Sequence, residues 1–330
     1  MADGSRIRVV LTVGQLIVPP DRRSMTRLSC LRHARAATGR HAMYSARQSH
    51  DFMISELALL EQLRLAIARK TLEVFYQPVI RLADNTCVGV ESLLRWRLHG
   101  HDISPETVVG LAEQHRLTGS LTDLVLHKSL DDLACVLSSD RSFRVSINVG
   151  SDDLRSVRFL DVLAQALKWT GVRASQVGIE ATERGFMHPD ATRSIIAALR
   201  WAGHPVYIDD FGTGYSCLSY LGTFHVDALK LDKAFVNPVE NAHASSVVAP
   251  HIIAMAHDLG MEIVAEGIES AAQAEYLMRK GVQYGQGWYF AKAMPVVELL
   301  PWLAEHAQSV KRDERRRCAR SPRLQLLRTP

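Results

Sequence analysis

The stretch that decides the fold is residues 143–181, which read FRVSINVGSDDLRSVRFLDVLAQALKWTGVRASQVGIEA. It begins with the apolar run Phe143–Val149, continues with a helical pattern over 157–168, and ends with a second apolar run, Gln176–Ala181. A strand, a helix and a strand in this order predict a βαβ unit whose two strands lie parallel.

The same alternation continues on both sides of this unit. Further strand-like runs are 74–80, Cys87–Trp96, Pro205–Asp209, Ala228–Leu231, Glu262–Ala265 and Val282–Phe290. Helical patterns cover 51–68, 105–115, 121–137, 190–202, 245–258 and 270–279. Repeated units over this length predict an α/β protein with a TIM-like (β/α)8 barrel, which takes about 250 residues. An open doubly wound sheet is disfavoured because no glycine-rich dinucleotide fingerprint follows an early strand.

Charge is distributed unevenly along the 330 residues. The net formal charge is +4, but residues 1–50 carry +7 and residues 311–330 carry +6, which leaves −9 for residues 51–310. The basic ends are expected to be poorly ordered tails, so nucleic acid is not an expected partner. The predicted organisation is a basic segment 1–50, a barrel 51–305 and a basic tail 306–330. The amphipathic helix near 51–68 is expected either to cap the barrel or to join a homodimer interface.

The cysteines and the N-terminus indicate the compartment. Five cysteines are scattered without a C-x-x-C pair, which is typical of a reducing environment. The N-terminal apolar run 9–20 is shorter than the roughly 20 residues that span a bilayer, and no convincing cleavage site follows it. We therefore expect a cytoplasmic protein without an integral membrane segment.

Polar residues recur at the ends of the predicted strands, where a barrel carries its chemistry. They are Glu91, Asn148, Glu180, Asp209, Asp210, Lys230, Glu266 and Gln286. Carboxylates gathered at one barrel mouth repel one another unless cations lie between them, and one lysine cannot balance five. Oxygen ligands without His or Cys point to Mg²⁺ or Mn²⁺, and the adjacent Asp209 and Asp210 fit a two-ion site. Two such ions activate water and stabilise displacement at phosphorus, so the residues predict metal-assisted phosphoester hydrolysis.

Strand periodicity places Arg95 on the same face as Glu91. Arg95 is expected to contact either a substrate phosphate or a neighbouring carboxylate, and a guanidinium fork suits both. The segment 209–215 leads from a strand into a glycine-bearing loop that lacks the Gly-Lys-Ser/Thr ending of a Walker-type phosphate loop.

Taken together, these residues resemble a known family, the EAL-domain cyclic di-GMP phosphodiesterases. The matching segments, in order, are Tyr76-Gln77-Pro78, Glu91-Ser92-Leu93-Leu94-Arg95-Trp96, Ile147-Asn148, Ile179-Glu180-Ala181-Thr182-Glu183, Asp209-Asp210-Phe211-Gly212-Thr213-Gly214-Tyr215, Leu229-Lys230-Leu231-Asp232, Ala265-Glu266-Gly267-Ile268-Glu269 and Gln286-Gly287. The resemblance implies a barrel with one antiparallel strand and hydrolysis of cyclic di-GMP to linear pGpG.

The resemblance also implies a role for each matching residue. Glu91, Asn148, Glu180 and Asp209 would bind one metal ion, and Asp209, Asp210 and Glu266 the other. Lys230 would orient or activate the attacking water. Gln286 and Arg95 would contact substrate or ordered water, and Gln77 a guanine. Glu183 and Glu269 would support the metal pocket and the segment 209–215, which we call the Asp-Asp loop. Glu269 is also expected to be a catalytic residue.

The residues at 207–209 and 285–288 most resemble those of the CSS-motif sensor subgroup of this family. Members of that subgroup carry a membrane-bound sensor module N-terminal to the EAL domain. We expect that module to be absent here. No Gly-Gly-Asp-Glu-Phe run occurs, so no cyclase activity is expected. The alternative to an active enzyme is a catalytically weak cyclic di-GMP receptor that acts through protein contacts.

Overall fold

The computed structural model describes residues 56–186, 189–212, 224–236 and 244–320. The predicted segment 1–50 lies outside these residues. The chain divides into two compact units, 1–69 and 70–330. The described part of the first unit is a helix over 56–69 (α1), in which Leu60, Leu63 and Ala66 are buried.

The second unit alternates strands and helices. Its strands are β1 (Glu73–Arg81), β2 (Thr86–Leu98), β3 (His101–Ile103), β4 (Arg144–Val149), β5 (Val177–Thr182), β6 (Val206–Phe211), β7 (Ala228–Leu231), β8 (Glu262–Ala265), β9 (Tyr284–Gly285) and β10 (Met294–Pro295). Its α-helices are α2 (Pro105–Gln114), α3 (Thr118–Asp132), α4 (Ala134–Ser139), α5 (Val157–Thr170), α6 (Pro189–Ala202), α7 (Lys233–Val236), α8 (Ala244–Asp258), α9 (Ala271–Arg279) and α10 (Val296–Arg320).

The sheet closes on itself into the predicted (β/α)8 barrel. The order around it is β1-β9-β8-β7-β6-β5-β4-β2, and β2 pairs again with β1. Strand β1 is antiparallel to both β2 and β9, whereas the other neighbouring strands of the ring are parallel. The prediction of a barrel with one reversed strand is therefore confirmed, and the reversed strand is β1.

Nearly continuous burial explains why these runs form the parallel part of the barrel. Side chains of β5 such as Val177 and Ile179 are completely buried, as expected for parallel strands covered by helices on the outer face. Helix α5 contributes Phe159, Leu163 and Ala166 to the same core. Local capping also follows the sequence: α9 begins at Ser270, whose hydroxyl accepts from Gln273 N while Gln273 caps the Ser270 N–H in return.

Two elements differ from the sequence pattern. The helical pattern 121–137 is interrupted at Leu133, so it forms the separate helices α3 and α4. The apolar run Val282–Phe290 yields only the two-residue strand β9, because the chain turns back at Gln286-Gly287 onto Ile268.

Toward the C-terminus, helix α10 continues past residue 305 to Arg320. None of the helices in the described part of the chain combines the length and apolar character that a bilayer crossing requires.

Candidate active site at the barrel mouth

The predicted polar residues meet at the carboxyl ends of the parallel strands. Each strand of the ring except β1 delivers at least one of them, because in a closed barrel these ends surround a single opening. They are Glu91 (β2), Asn148 (β4), Glu180 (β5), Asp209 and Asp210 (β6), Lys230 (β7), Glu266 (after β8) and Gln286 (after β9).

Lys230 lies at the centre of this cluster, and only 2% of the residue is exposed. Its Nζ lies 2.7 Å from Glu180 Oε2 and 2.7 Å from Glu266 Oε1. It also lies 2.9 Å from Asp209 Oδ1 and 3.2 Å from Glu91 Oε2. One buried ammonium group therefore contacts four carboxylates, which leaves an excess of negative charge when the acids are ionised.

The pKa values of the cluster reflect this excess. Burial alone would lower the pKa of Lys230, but the surrounding carboxylates raise it well above its ordinary value. Burial raises the pKa of Glu180 well above normal, and the nearby Glu91 adds to the shift. Burial likewise raises the pKa of Glu266 to about 8, against the opposing effect of Lys230. In contrast, Lys230 and three hydrogen bonds outweigh burial at Glu91 and lower its pKa.

The Asp-Asp pair is held by an irregular strand end. Strand β6 pairs with β7 up to Ile208 and again at Phe211, and the register shifts in between, at the two aspartates. Asp210 has a positive φ of 52°, a left-handed conformation that few residues other than glycine adopt. This bulge lets consecutive residues both take part in the cluster, whereas a regular strand would point them to opposite faces. Burial, followed by the charge of Asp209, raises the pKa of Asp210 to about 6.

Two amide side chains fix Glu91. Asn148 Nδ2 donates to Glu91 Oε1 at 2.9 Å, and Gln286 Nε2 donates to Glu91 Oε2 at 2.7 Å. Gln286 Nε2 also approaches Glu266 Oε1 at 3.3 Å. Because the nitrogen of Asn148 is used on Glu91, its carbonyl oxygen is the atom left to coordinate a cation.

The cluster fits hard divalent cations. Ligand atoms of Glu91, Glu180 and Asp209 lie within 4.8 Å of one another, and so do those of Asp209, Asp210 and Glu266. Asp209 belongs to both groups, which is the arrangement that two ions sharing one carboxylate require. Asp209 Oδ1 is buried and, although close to Lys230, makes no hydrogen bond with a described residue. An all-oxygen donor set with such an oxygen suits Mg²⁺ or Mn²⁺.

The two predicted substrate contacts belong to the neighbouring strands β1 and β2. Gln77 of β1 lies opposite Glu91 in the β1–β2 ladder, and its Nε2 donates to Ala291 O at 3.3 Å. The Arg95 guanidinium lies 5.6 Å above the Phe75 ring, and burial lowers its pKa. Arg95 Nη1 donates to Leu94 O at 2.8 Å, and no carboxylate among the described residues forms an ion pair with Arg95.

The two predicted supporting glutamates behave differently. Glu183 is buried, and its Oε1 accepts a 2.6 Å hydrogen bond from Gly212 N at the start of the Asp-Asp loop. Gly212 has φ +93°, and a Cβ there would lie 2.7 Å from the Phe235 ring, so this position requires glycine. Glu269 is exposed, and its backbone N–H, rather than its carboxylate, is bonded, to Gln273 Oε1.

Trp288 belongs to the segment 285–288 but was not predicted as a site residue. It follows Gln286 by two residues and is 65% exposed, with Lys292 Nζ 4.5 Å from the centre of its ring. An aromatic residue directly after the Gln286-Gly287 pair was the available signal, because exposed aromatic side chains are enriched at interfaces.

A (β/α)8 barrel with one reversed strand and an acidic, oxygen-lined mouth that could hold metal ions defines a class of barrel proteins. Within that class, residues 60–293 match the model of the EAL domain. The chain belongs to the EAL domain family.

Named relatives agree with this assignment. The chain is 41% identical over 246 residues to the "Probable cyclic di-GMP phosphodiesterase PdeB" of Escherichia coli K12, covering 74% of this chain and 47% of PdeB. It is 32% identical over 309 residues to the "Cyclic di-GMP phosphodiesterase NbdA" of Pseudomonas aeruginosa, covering 91% of this chain and 40% of NbdA. The chain thus spans less than half the length of these relatives.

A solved structure shows the same fold. The structure titled "PaMucR Phosphodiesterase, c-di-GMP complex" superposes with a TM-score of 0.69 at 32% identity, covering 73% of this chain and 99% of that one.

Proposed function

We propose that this protein hydrolyses cyclic di-GMP to linear pGpG and uses two Mg²⁺ or Mn²⁺ ions to do so. The observation that carries the proposal is the cluster of carboxylates at the barrel mouth, which forms two groups of possible metal ligands that share Asp209. The names of PdeB and NbdA and the ligand in the MucR structure support the choice of substrate.

We assign the ligands to the two ions as the family resemblance implies. Glu91, Asn148, Glu180 and Asp209 would hold one ion, and Asp209, Asp210 and Glu266 the other. When bound, the ions supply a hydroxide nucleophile at neutral pH and neutralise charge that develops on the phosphate.

The remaining residues bind and orient the reactants. Arg95 would donate to a phosphate through the guanidinium N–H groups that Leu94 O does not use. Gln77, which lies across the ladder from Glu91, would contact a guanine edge. The Lys230 ammonium group would orient the attacking water and hold the ligand carboxylates in position. Glu183 holds the backbone of the Asp-Asp loop through Gly212. Glu269 is proposed to support the loop after β8.

The test is incubation of the purified protein with cyclic di-GMP and Mg²⁺ or Mn²⁺, with chromatography of pGpG. The chain should produce pGpG, and Glu91→Ala should lose turnover because one ion loses a ligand. Glu106→Ala is the matched control, since Glu106 is an exposed residue in the first turn of α2. Binding of cyclic di-GMP without product would instead identify the receptor. Normal turnover by Glu91→Ala would refute the ligand assignment.

We propose a cytoplasmic location and a catalytic unit over 51–305. The location rests on the cysteines: Cys87 and Cys135 are free thiols, as expected in a reducing compartment. A homodimer is the proposed assembly, and sedimentation velocity of the chain at several concentrations tests it.

A further inference from the structure

Two tryptophans lie almost entirely in solvent at the ends of neighbouring helices. Trp169 is the next-to-last residue of α5 and is 91% exposed, and Trp201 is the next-to-last residue of α6 and is 93% exposed. Tryptophan is normally among the more buried residues, so two such side chains on adjacent helices are unusual. Exposed apolar surface of this kind often marks an interaction site.

Both tryptophans lie at the base of the barrel, away from the catalytic mouth. Helix α5 leads into β5 and α6 leads into β6, and these two strands are parallel neighbours. The chain segments that follow the helices are joined: Ile179 N donates to Pro205 O at 2.8 Å, and His204 Nδ1 bonds to Val177 O at 3.0 Å. The helix ends are therefore held side by side at the amino ends of the strands.

Basic side chains lie at the end of α5, close to Trp169 in the chain. Lys168 adjoins Trp169, and Arg173 lies four residues further on; both are exposed. Arg141, also exposed, donates to Gly171 O at 3.3 Å and so lies at the end of α5. None of these three cations forms an ion pair within the described residues. We call Arg141, Lys168, Trp169, Arg173 and Trp201 the base surface.

The nearby carboxylates are already engaged. Asp140 accepts from the backbone and hydroxyl of Ser142 at 2.8 and 2.6 Å. Asp227 accepts two hydrogen bonds from Arg200, at 3.2 and 3.0 Å, and a third from Val206 N. Asp227 is neutralised by Arg200, and the three cations outnumber the remaining carboxylate of Asp140, so the base surface combines exposed aromatic rings with a net positive charge.

We propose that the base surface docks onto an anionic lipid bilayer. Tryptophan rings favour the headgroup region of a membrane, where the apolar ring and the polar N–H are both accommodated. Lysine and arginine beside them are attracted to anionic headgroups, by about 1 kcal/mol for each residue near the surface. Rings that are more than 90% exposed can enter a bilayer without a complementary pocket. This orientation turns the barrel mouth away from the membrane, so the site remains open to a soluble substrate.

The experiment uses the full chain and vesicles of phosphatidylcholine, with or without one third phosphatidylglycerol, in which part of the phosphatidylcholine is brominated. Brominated acyl chains quench only tryptophans that enter the bilayer. We expect quenching with the anionic vesicles, and we expect it to weaken as salt is added. Trp169→Phe/Trp201→Phe should abolish the quenching, although the other three tryptophans of the chain are kept.

A charge-reversal pair separates the base surface from other basic parts of the chain. Lys168→Glu/Arg173→Glu should weaken vesicle binding at least about 25-fold, since each basic residue near the surface contributes about fivefold. Lys311→Glu/Arg312→Glu makes the same charge change at exposed positions of α10, which packs beside β1 and β2, and should leave the quenching in place. All four substitutions are exposed, so folding should be preserved.

Three outcomes would overturn the proposal. One is quenching that persists in the double phenylalanine variant. Another is vesicle binding that depends on Lys311 and Arg312 but not on Lys168 and Arg173. The third is a dimer in sedimentation velocity that Trp169→Ala/Trp201→Ala dissociates, because a second copy of the chain would then cover this surface. None of these readouts depends on turnover of cyclic di-GMP.

Discussion

Replacement of Lys230 by methionine tests the electrostatics of the mouth most directly. Methionine has nearly the same length but no charge, so Lys230→Met leaves four carboxylates around a neutral side chain. Removing one partner from a buried ion pair typically costs 3–5 kcal/mol. All four contacts of Nζ are 3.2 Å or shorter, so we expect a loss of about 3–5 kcal/mol in the free energy of unfolding in the presence of EDTA.

Divalent cations should restore much of this loss. A ligand at one hundred times its dissociation constant stabilises the folded state by about 2.7 kcal/mol, and the variant has more uncompensated charge for a cation to neutralise. The assay is urea unfolding of both proteins in EDTA and in Mn²⁺. The gain on adding Mn²⁺ should be larger for Lys230→Met than for the natural sequence. Turnover should remain lost even when stability returns, because the ammonium group also positions water.

The control for this experiment is Lys311→Met, at an exposed position of α10. Its unfolding free energy should change by less than about 0.5 kcal/mol, with no added dependence on Mn²⁺. The reasoning is refuted if Lys230→Met is as stable as the natural sequence in EDTA, or if Mn²⁺ stabilises both proteins equally.

Three further predictions concern other parts of the molecule. Ca²⁺ in place of Mg²⁺ should inhibit turnover, because its larger and looser coordination sphere misplaces the ligands; pGpG formation at normal rates in Ca²⁺ would contradict the two-ion geometry. Glu183→Ala should lower turnover roughly 10–100-fold while the fold is kept, because Gly212 N loses its hydrogen-bond acceptor. Glu183→Gln retains a side-chain oxygen and should recover part of the activity. Burial lowers the pKa of His204, so the unfolded chain binds an additional proton below about pH 6.5, and the free energy of unfolding should fall as pH decreases, by at most about 1.4 kcal/mol per pH unit. His204→Gln should show a shallower pH dependence in urea unfolding between pH 7 and 5. An unchanged slope would exclude this histidine as the cause.

The sequence alone determined the barrel and the residues of its mouth. Alternating apolar runs and helical patterns suffice for this, because strand and helix periods are local properties and the carboxyl ends of parallel strands must meet. Glu91, Asn148, Glu180 and Lys230 could each be named because each stands in or directly after such a run. The reversed direction of β1 was implied only by family resemblance, because no local pattern distinguishes an antiparallel strand.

Only the tertiary structure decided how the mouth and the base are built. The bulge that directs both Asp209 and Asp210 into the cluster depends on the pairing of β6 with β7, which the local sequence does not specify. Trp169 and Trp201 stand 32 positions apart in the chain, and their proximity arises because parallel strands bring the ends of successive helices to one edge. Exposure is also a property of the packed molecule. An apolar side chain in a helical pattern is predicted to lie in the core until its neighbours in space are known.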